Sequence, residues 1–161
     1  MSDTEKRHWV FRAHVLDRAG ALTSIASAFS NEGISIDTVV GHGLEEPAGV
    51  DGSVVVTFWC DEREKDIMVR KVQRLSKVTH LEEYPYESQN LRKSAIIVAS
   101  RRLVPRDVAG EEAFLTCELV YTASSGWTYF LAGSPGELDS VLKRLETDGV
   151  VKDIVYSLVA L

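Results

Sequence analysis

Apolar and polar residues alternate from Trp9 to Leu16. Trp9, Phe11, Ala13 and Val15 fall on one face, and Val10, Arg12, His14 and Leu16 on the other. A period of two predicts a strand whose first face meets helices and whose second, with Arg12 and His14, meets solvent or a partner. At Leu16 the period changes. Leu22, Ile25, Ala26 and Phe29 recur at i, i+3, i+4 and i+7, one face of an amphipathic helix, and Gly33 ends it in the C′ position. Ile34 to Val40 alternates again. Gly41 to Gly52 holds four glycines and Pro47, a loop longer than most connections. Ser53 to Cys60, rich in Val, Phe and Trp, predicts a third strand.

Asp61-Glu62-Arg63-Glu64 has capping-box spacing, and Met68, Val72 and Leu75 stripe the helix behind it. Val78 to Tyr84 is a fourth strand, stopped by Pro85. The order β-α-β-β-α-β is complete in about eighty residues, so two helices should cover one face of a four-stranded antiparallel sheet, the α+β class.

After a polar linker, Ser88-Gln89-Asn90, the pattern partly repeats. Ala95 to Ala99 is a strand. Val104 to Glu112, with Pro105 and Gly110, is too broken for a copy of the first helix. Phe114 to Tyr121 and Trp127 to Leu131 flank a turn at Ser125-Gly126. Ser134-Pro135-Gly136-Glu137 is a second capping box with Pro at the first helical position. Leu138, Val141, Leu142 and Leu145 form its stripe, Gly149 ends it, and Val150 to Leu158 closes the chain as a strand. Strand, capped helix and strand recur in both halves, the mark of an internal duplication.

Chemistry concentrates at Leu16-Asp17-Arg18-Ala19-Gly20-Ala21-Leu22, where the first strand runs into the first helix. Helix-first amides lack partners and attract a carboxylate or phosphate. Gly20 allows close approach, and Asp17 can cap the helix or face an ammonium group. The residues alone fit either an ordinary strand–helix turn or a small-molecule contact.

A family resemblance bears on that choice. Asp17-Arg18-Ala19-Gly20-Ala21-Leu22 is similar to the D-R-P-G-A-L-like loop of ACT domains, and Gly33-Ile34-Ser35-Ile36-Asp37 to their G-x-N-I-x segment, at the family spacing of one helix. Residues 8–86 thus resemble an ACT domain with the ferredoxin-like fold. In length and order the whole chain resembles the small regulatory subunits of acetolactate synthases, with residues 93–161 as a degenerate ACT-like domain. Ala19 stands where the loop often has Pro, and Asp17 and Ser35 stand where those subunits usually have Asn.

The resemblance implies a non-catalytic regulatory protein of amino-acid biosynthesis. Its amino-acid effector would bind at a dimer interface through Asp17, Ala19, Gly20, Ala21, Leu22, Ser35, Ile36 and Asp37. It implies a catalytic large subunit as partner and a homodimer or higher homo-oligomer. The alternative is a free-standing sensor or transcriptional regulator with another partner.

Composition narrows the other classes. The chain has 161 residues and a formal net charge of −6, against a sequence-independent grip on nucleic acid or an anionic membrane. Trp9, Phe11, Phe58 and Trp59 could suggest an RNA platform, but they read better as core aromatics. His8, His14, His42 and His80 are scattered, without a metal or nucleophile motif, so neither catalytic residues, a metal nor a cofactor are expected. Cys60 and Cys117 lie far apart in apolar runs, as buried free thiols do. The polar start and the lack of a membrane-length apolar run predict a cytoplasmic protein.

Overall fold

The computed structural model describes residues 5–16, 18–42, 52–109 and 115–160, with only the backbone of Arg18, Ala19 and His42. It divides into two compact units, Met1–Tyr86 and Glu87–Leu161.

The first unit runs β1 (Arg7–Val15), α1 (Arg18–Asn31), β2 (Ile36–His42), β3 (Gly52–Cys60), α2 (Glu62–Gln73) and β4 (Val78–Pro85). Its strands form one antiparallel sheet in the order β2-β3-β1-β4. Pairing sets Trp9 opposite Phe58, Phe11 opposite Val56 and Ala13 opposite Val54, so the apolar face of β1 continues across β3. Ala21, Ile25, Phe29, Met68 and Val72 from the helices close a single core on that face. Phe11, Phe29 and Phe58 meet there edge to face, with centroids 4.7–6.2 Å apart.

The end of α1 and the start of α2 follow local rules. Asp61 accepts from the Glu64 amide at 2.8 Å, and Glu64 accepts from the Asp61 amide at 3.0 Å, the reciprocal box predicted. Gly33 has φ +68°. Its amide donates to Ser30 and that of Ile34 to Phe29, both at 3.1 Å, a Schellman end. The stripe of α1 differs from expectation. Ala21, Ile25 and Phe29 are buried, Ala28 packs against them, and Leu22 and Ala26 are exposed. Alanines count little in a hydrophobic pattern, yet here they let α1 approach the sheet.

The second unit runs β5 (Leu91–Ala99), a short 3-10 turn (Pro105–Asp107), β6 (Thr116–Ala123), β7 (Gly126–Gly133), α3 (Pro135–Thr147) and β8 (Val151–Ala160). Its sheet order, β6-β7-β5-β8, repeats that of the first unit strand for strand. The first helix has no counterpart among the described residues, as Pro105 and Gly110 predicted. In its place the Pro105 turn is tied down by side chains. Arg101 binds Asp107 through two nitrogens at 2.7 and 3.1 Å, the Leu103 amide donates to the Tyr129 hydroxyl at 2.9 Å, and Arg144 donates to the Ala109 carbonyl at 2.7 Å.

Helix α3 ends as predicted, with Gly149 at φ +67° and the Val150 amide donating to Leu145 at 2.9 Å. Its start does not. Ser134 is the N-cap but makes no side-chain cap bond, so the second capping box is not formed. Counted from the N-caps Asp61 and Ser134, the buried residues of the two helices share the positions +4, +7 and +11: Lys65, Met68 and Val72 against Leu138, Val141 and Leu145. That register pairs Val72 with Leu145. Cys60 and Cys117 are free thiols. Among the described residues no helix is long and apolar enough to cross a membrane.

Candidate functional site

The strand-to-helix passage of the first unit places the expected residues unevenly. Asp17 lies outside the described residues. Helix α1 already begins at Arg18, earlier than the apolar stripe, so Ala19 and Gly20 belong to its first turn. Helical bonding from i to i−4 leaves only the amides of that first turn without helix partners. The Leu22 amide falls within the ladder. The Gly20 carbonyl also accepts the Ser24 hydroxyl at 3.0 Å, and Gly20 is half-buried. Ala21 is wholly buried, and Leu22 exposes its side chain.

The second expected wall begins outside the strand. Ser35 is exposed and precedes β2, which starts at Ile36. Ile34 shares the core cluster with Ala21, and Ile36 packs against that cluster. The two segments therefore meet in one buried apolar cluster, with Ser35 and Asp37 exposed beside it. A register shift falls between Ile36 and Thr38, so Asp37 is the extra residue of a bulge. Bulges re-aim side chains, and this one brings Asp37 Oδ2 to 3.2 Å from His8 Nε2.

His8 was one of the scattered histidines in the sequence. In the fold its ring is sandwiched, 4.5 Å from Trp59 at an interplanar angle of 12° and 3.9 Å from Tyr86 at 19°. Register explains the placement, since β1 pairs His8 with Trp59. Trp59 thereby departs from the core assignment: it is 51% exposed, whereas Trp9, Phe11 and Phe58 are buried. Adjacent residues of a strand face opposite ways, so Phe58 and Trp59 could not both enter the core. That signal was present in the sequence; the His8 stack, which needs three distant segments, left none.

The outward face of β1 carries a polar group as expected. His14 Nε2 lies 3.3 Å from Glu82 Oε2, Arg12 lies 3.6 Å from the same oxygen, and the His80 ring is 5.6 Å from that of His14. Glu82 is the shared anion of this cluster. On the helix face, Lys65 is buried yet sits 2.7 Å from Asp66, 3.1 Å from Glu62 and 3.4 Å from Glu83, over the Trp9 ring. Burial opposes its charge, but the hydrogen bonds to Asp66 and Glu62, together with the negative charges of Glu83 and Glu62, outweigh it and hold its pKa above the ordinary lysine value. Burial, with the nearby carboxylates of Glu64 and Asp61, pushes the Cys60 thiol up to about 12. Thiolate chemistry needs the opposite shift. Among the described residues no group of three or more His, Cys, Asp or Glu could hold a metal ion.

These features define a class by fold: two ferredoxin-like units in tandem, the first complete and the second short of one helix. Among solved structures, the chain is similar to the acetolactate synthase small subunit from Thermotoga maritima. Identity is 15%, 96% of each chain is covered, and the TM-score is 0.67. The ligand-free regulatory subunit of aspartate kinase from Thermus thermophilus aligns at 14% identity over 91% of this chain and 98% of that one, with a TM-score of 0.47, too low to argue from. No family model matches the chain, and no curated protein matches it in sequence. The first comparison shows the tandem fold from end to end.

Proposed function

We propose that this chain is a non-catalytic regulatory protein whose first unit, as an ACT domain over residues 8–86, binds an amino-acid effector between the first turn of α1 and the start of β2. Residues 93–161 form the degenerate second domain. The partner is a catalytic enzyme of amino-acid biosynthesis, and an acetolactate synthase large subunit is the first to test. The observation that carries this reading is the end-to-end match of both units to a small subunit of that enzyme. Fold alone does not give function, so the loop at Asp17–Leu22 and the segment at Ser35–Asp37 carry the chemical part.

The effector's carboxylate sits at the start of α1, where the helix dipole favours an anion. Its ammonium faces Asp17, with Ser35 and Asp37 as further acceptors. Strand β2 lies at the edge of its sheet, and an open edge is a template for a second copy. A neighbouring copy paired there completes the pocket. Occupancy then changes how the module sits on its partner by the difference in effector affinity between the two arrangements.

Calorimetry with each of the twenty amino acids tests the sensing step, and absence of heat for all of them refutes it. Recovery of a thiamine-dependent synthase large subunit in a pull-down tests the partner. Effector binding without that recovery favours a free-standing sensor, the reading that Ser35 and the shortened second unit support. Light scattering of a strict monomer refutes pairing through β2.

A further inference from the structure

Strands β4 and β8 hold the same place in the two sheets, at the outer edge beside the first strand of each unit, yet their edges differ in chemistry. An unpaired edge offers free backbone donors and acceptors to any strand that meets it, and charged residues or Pro on the edge discourage such pairing. Strand β4 carries Glu82 and Glu83 and ends at Pro85. Strand β8 is ten residues long and, after Lys152 and Asp153, holds no charge from Ile154 to Ala160. Val155, Tyr156 and Val159 expose their side chains, Val155 to 67%. At the other edge of the same sheet, β6 carries Glu118 and is interrupted by a bulge between Leu119 and Tyr121. Strand β8 pairs with β5 without a break from Asp153 to Ala160.

Residues of an antiparallel strand turn their backbone groups alternately to one neighbour and to the other. The Ile154 amide donates to the Asp153 carboxylate at 2.9 Å and so points away from β5. The far end of the pairing agrees. There the Val150 carbonyl accepts from the Ser100 amide at 2.8 Å, and the register shift between Val98 and Ala99 passes inward bonding to the odd residues from Asp153 onward. Ile154, Tyr156, Leu158 and Ala160 therefore direct their N–H and C=O groups off the sheet. Among the described residues β5 is the only strand paired with β8.

We infer that β8 is a self-association edge, to which a second copy of this chain adds its own β8 antiparallel, joining two four-stranded sheets into one. The strand's own pattern identifies the occupant. A two-fold axis at Ser157 sets Val155 of each copy opposite Val159 of the other, Tyr156 opposite Leu158 and Ile154 opposite Ala160, so apolar residues meet on both faces of the ribbon. The same axis carries the two Lys152-Asp153 pairs to opposite ends, whereas parallel pairing would set like charges side by side. The contact is isologous and consumes the edge, so it closes with two copies. It lies wholly within the second unit and rests neither on the effector reading nor on pairing through β2.

Light scattering of the full chain over a concentration series tests it, with Val155→Lys on β8 and Val39→Lys on β2. Val155 is exposed, so a lysine there blunts the edge without entering the core. Val155→Lys is expected to at least halve the wild-type mass, with or without Val39→Lys. A wild-type chain that stays monomeric overturns the inference and leaves the edge to a strand of another protein. Equal masses for Val155→Lys and wild type overturn it too. A mass that falls with Val39→Lys alone refutes this edge and supports β2. Ser157→Cys reads the register independently of whether Val155→Lys folds. Residues opposite each other in a non-hydrogen-bonded pair have Cα atoms about 4.5 Å apart, within reach of a disulfide. Mild oxidation is expected to link Ser157→Cys into a dimer on a non-reducing gel and to leave the wild type, with Cys60 and Cys117 alone, unlinked. No added cross-link from Ser157→Cys overturns the pairing.

Discussion

His8 Nε2 lies 3.2 Å from Asp37 Oδ2, linking the first strand to the bulge of β2. The histidine ring is also the middle layer of the Trp59–His8–Tyr86 stack. Each ring pair contributes about 0.5–1.5 kcal/mol beyond area burial. His8→Ala should therefore lower unfolding stability by about 1–3 kcal/mol in urea titrations. His8→Phe keeps the stack and removes only the approach to Asp37, so its loss should be the smaller. Equal losses would mean that the stack contributes little.

Gly20→Asp separates folding from binding. An acidic residue in the first helical turn is favourable to the helix dipole, by about 0.3–1 kcal/mol, so α1 should persist. The same carboxylate repels an effector's carboxylate at the proposed pocket. Circular dichroism should stay unchanged while effector affinity drops at least about tenfold, equivalent to about 1.4 kcal/mol. Unchanged affinity would place the effector elsewhere.

Gly33 and Gly149 end their helices in the same way, at φ +68° and +67°, and a Cβ added to either meets nothing within 4 Å. The penalty for alanine is then backbone strain alone, about 1–2 kcal/mol for a left-handed residue. Gly33→Ala and Gly149→Ala should cost the same within error when measured by chemical denaturation. A marked inequality would reveal a contribution beyond the backbone.

Lys65 and Leu138 occupy the same place in their helices, four residues after the N-cap. The carboxylates around Lys65 are themselves 44–58% exposed, so water can take over when the ammonium is removed. Replacing a buried ion by an apolar side chain of similar length is often neutral or stabilising. Lys65→Met should change stability by less than about 1 kcal/mol. A loss of several kcal/mol in urea unfolding would show that the cation is needed to hold Glu62, Asp66 and Glu83 together.

Acid should weaken the second unit through Asp107. The Arg101 guanidinium, helped by the Val104 amide, holds its carboxyl down to about 2, against about 3.9 in an unfolded chain. A depressed acid stabilises fully above its unfolded pKa and loses that contribution as pH falls through the folded one. The thermal midpoint should therefore drop between about pH 5 and pH 2. Asp107→Asn should lower the midpoint at pH 7 and flatten that slope. A slope identical to wild type would mean that other carboxylates carry the acid sensitivity.

The order of strands and helices was legible because it rests on local signals: period-two runs, the Asp61–Glu64 box, and glycines at Gly33 and Gly149. Where local rules compete with tertiary packing, the sequence was less informative. Ser134–Glu137 has the same box spacing as Asp61–Glu64, but Ser134 makes no side-chain cap bond and the Glu137 carboxylate is buried without a hydrogen-bond partner among the described residues. The stripe of α1 was displaced because Ala21 and Ala28 carry the contact that larger Leu22 had been assigned. Of the candidate site, Gly20 lies in the first turn of α1 and Ile36 opens β2. The engagement of Asp37 by His8 depends on strand register and a bulge, neither of which a linear pattern records.

The sheet order kept in both units also separates two jobs that a crossover helix usually does together. In the first unit the chain passes from β1 over β3 to β2, and in the second from β5 over β7 to β6. Two strand spacings amount to only about 10 Å, and among the described residues no full helix lies between β5 and β6. Connectivity thus never required α1; its retention is a matter of cover and chemistry. Among the described residues such a first turn occurs once, in the first unit, so full occupancy of a pocket built on it counts chains rather than units.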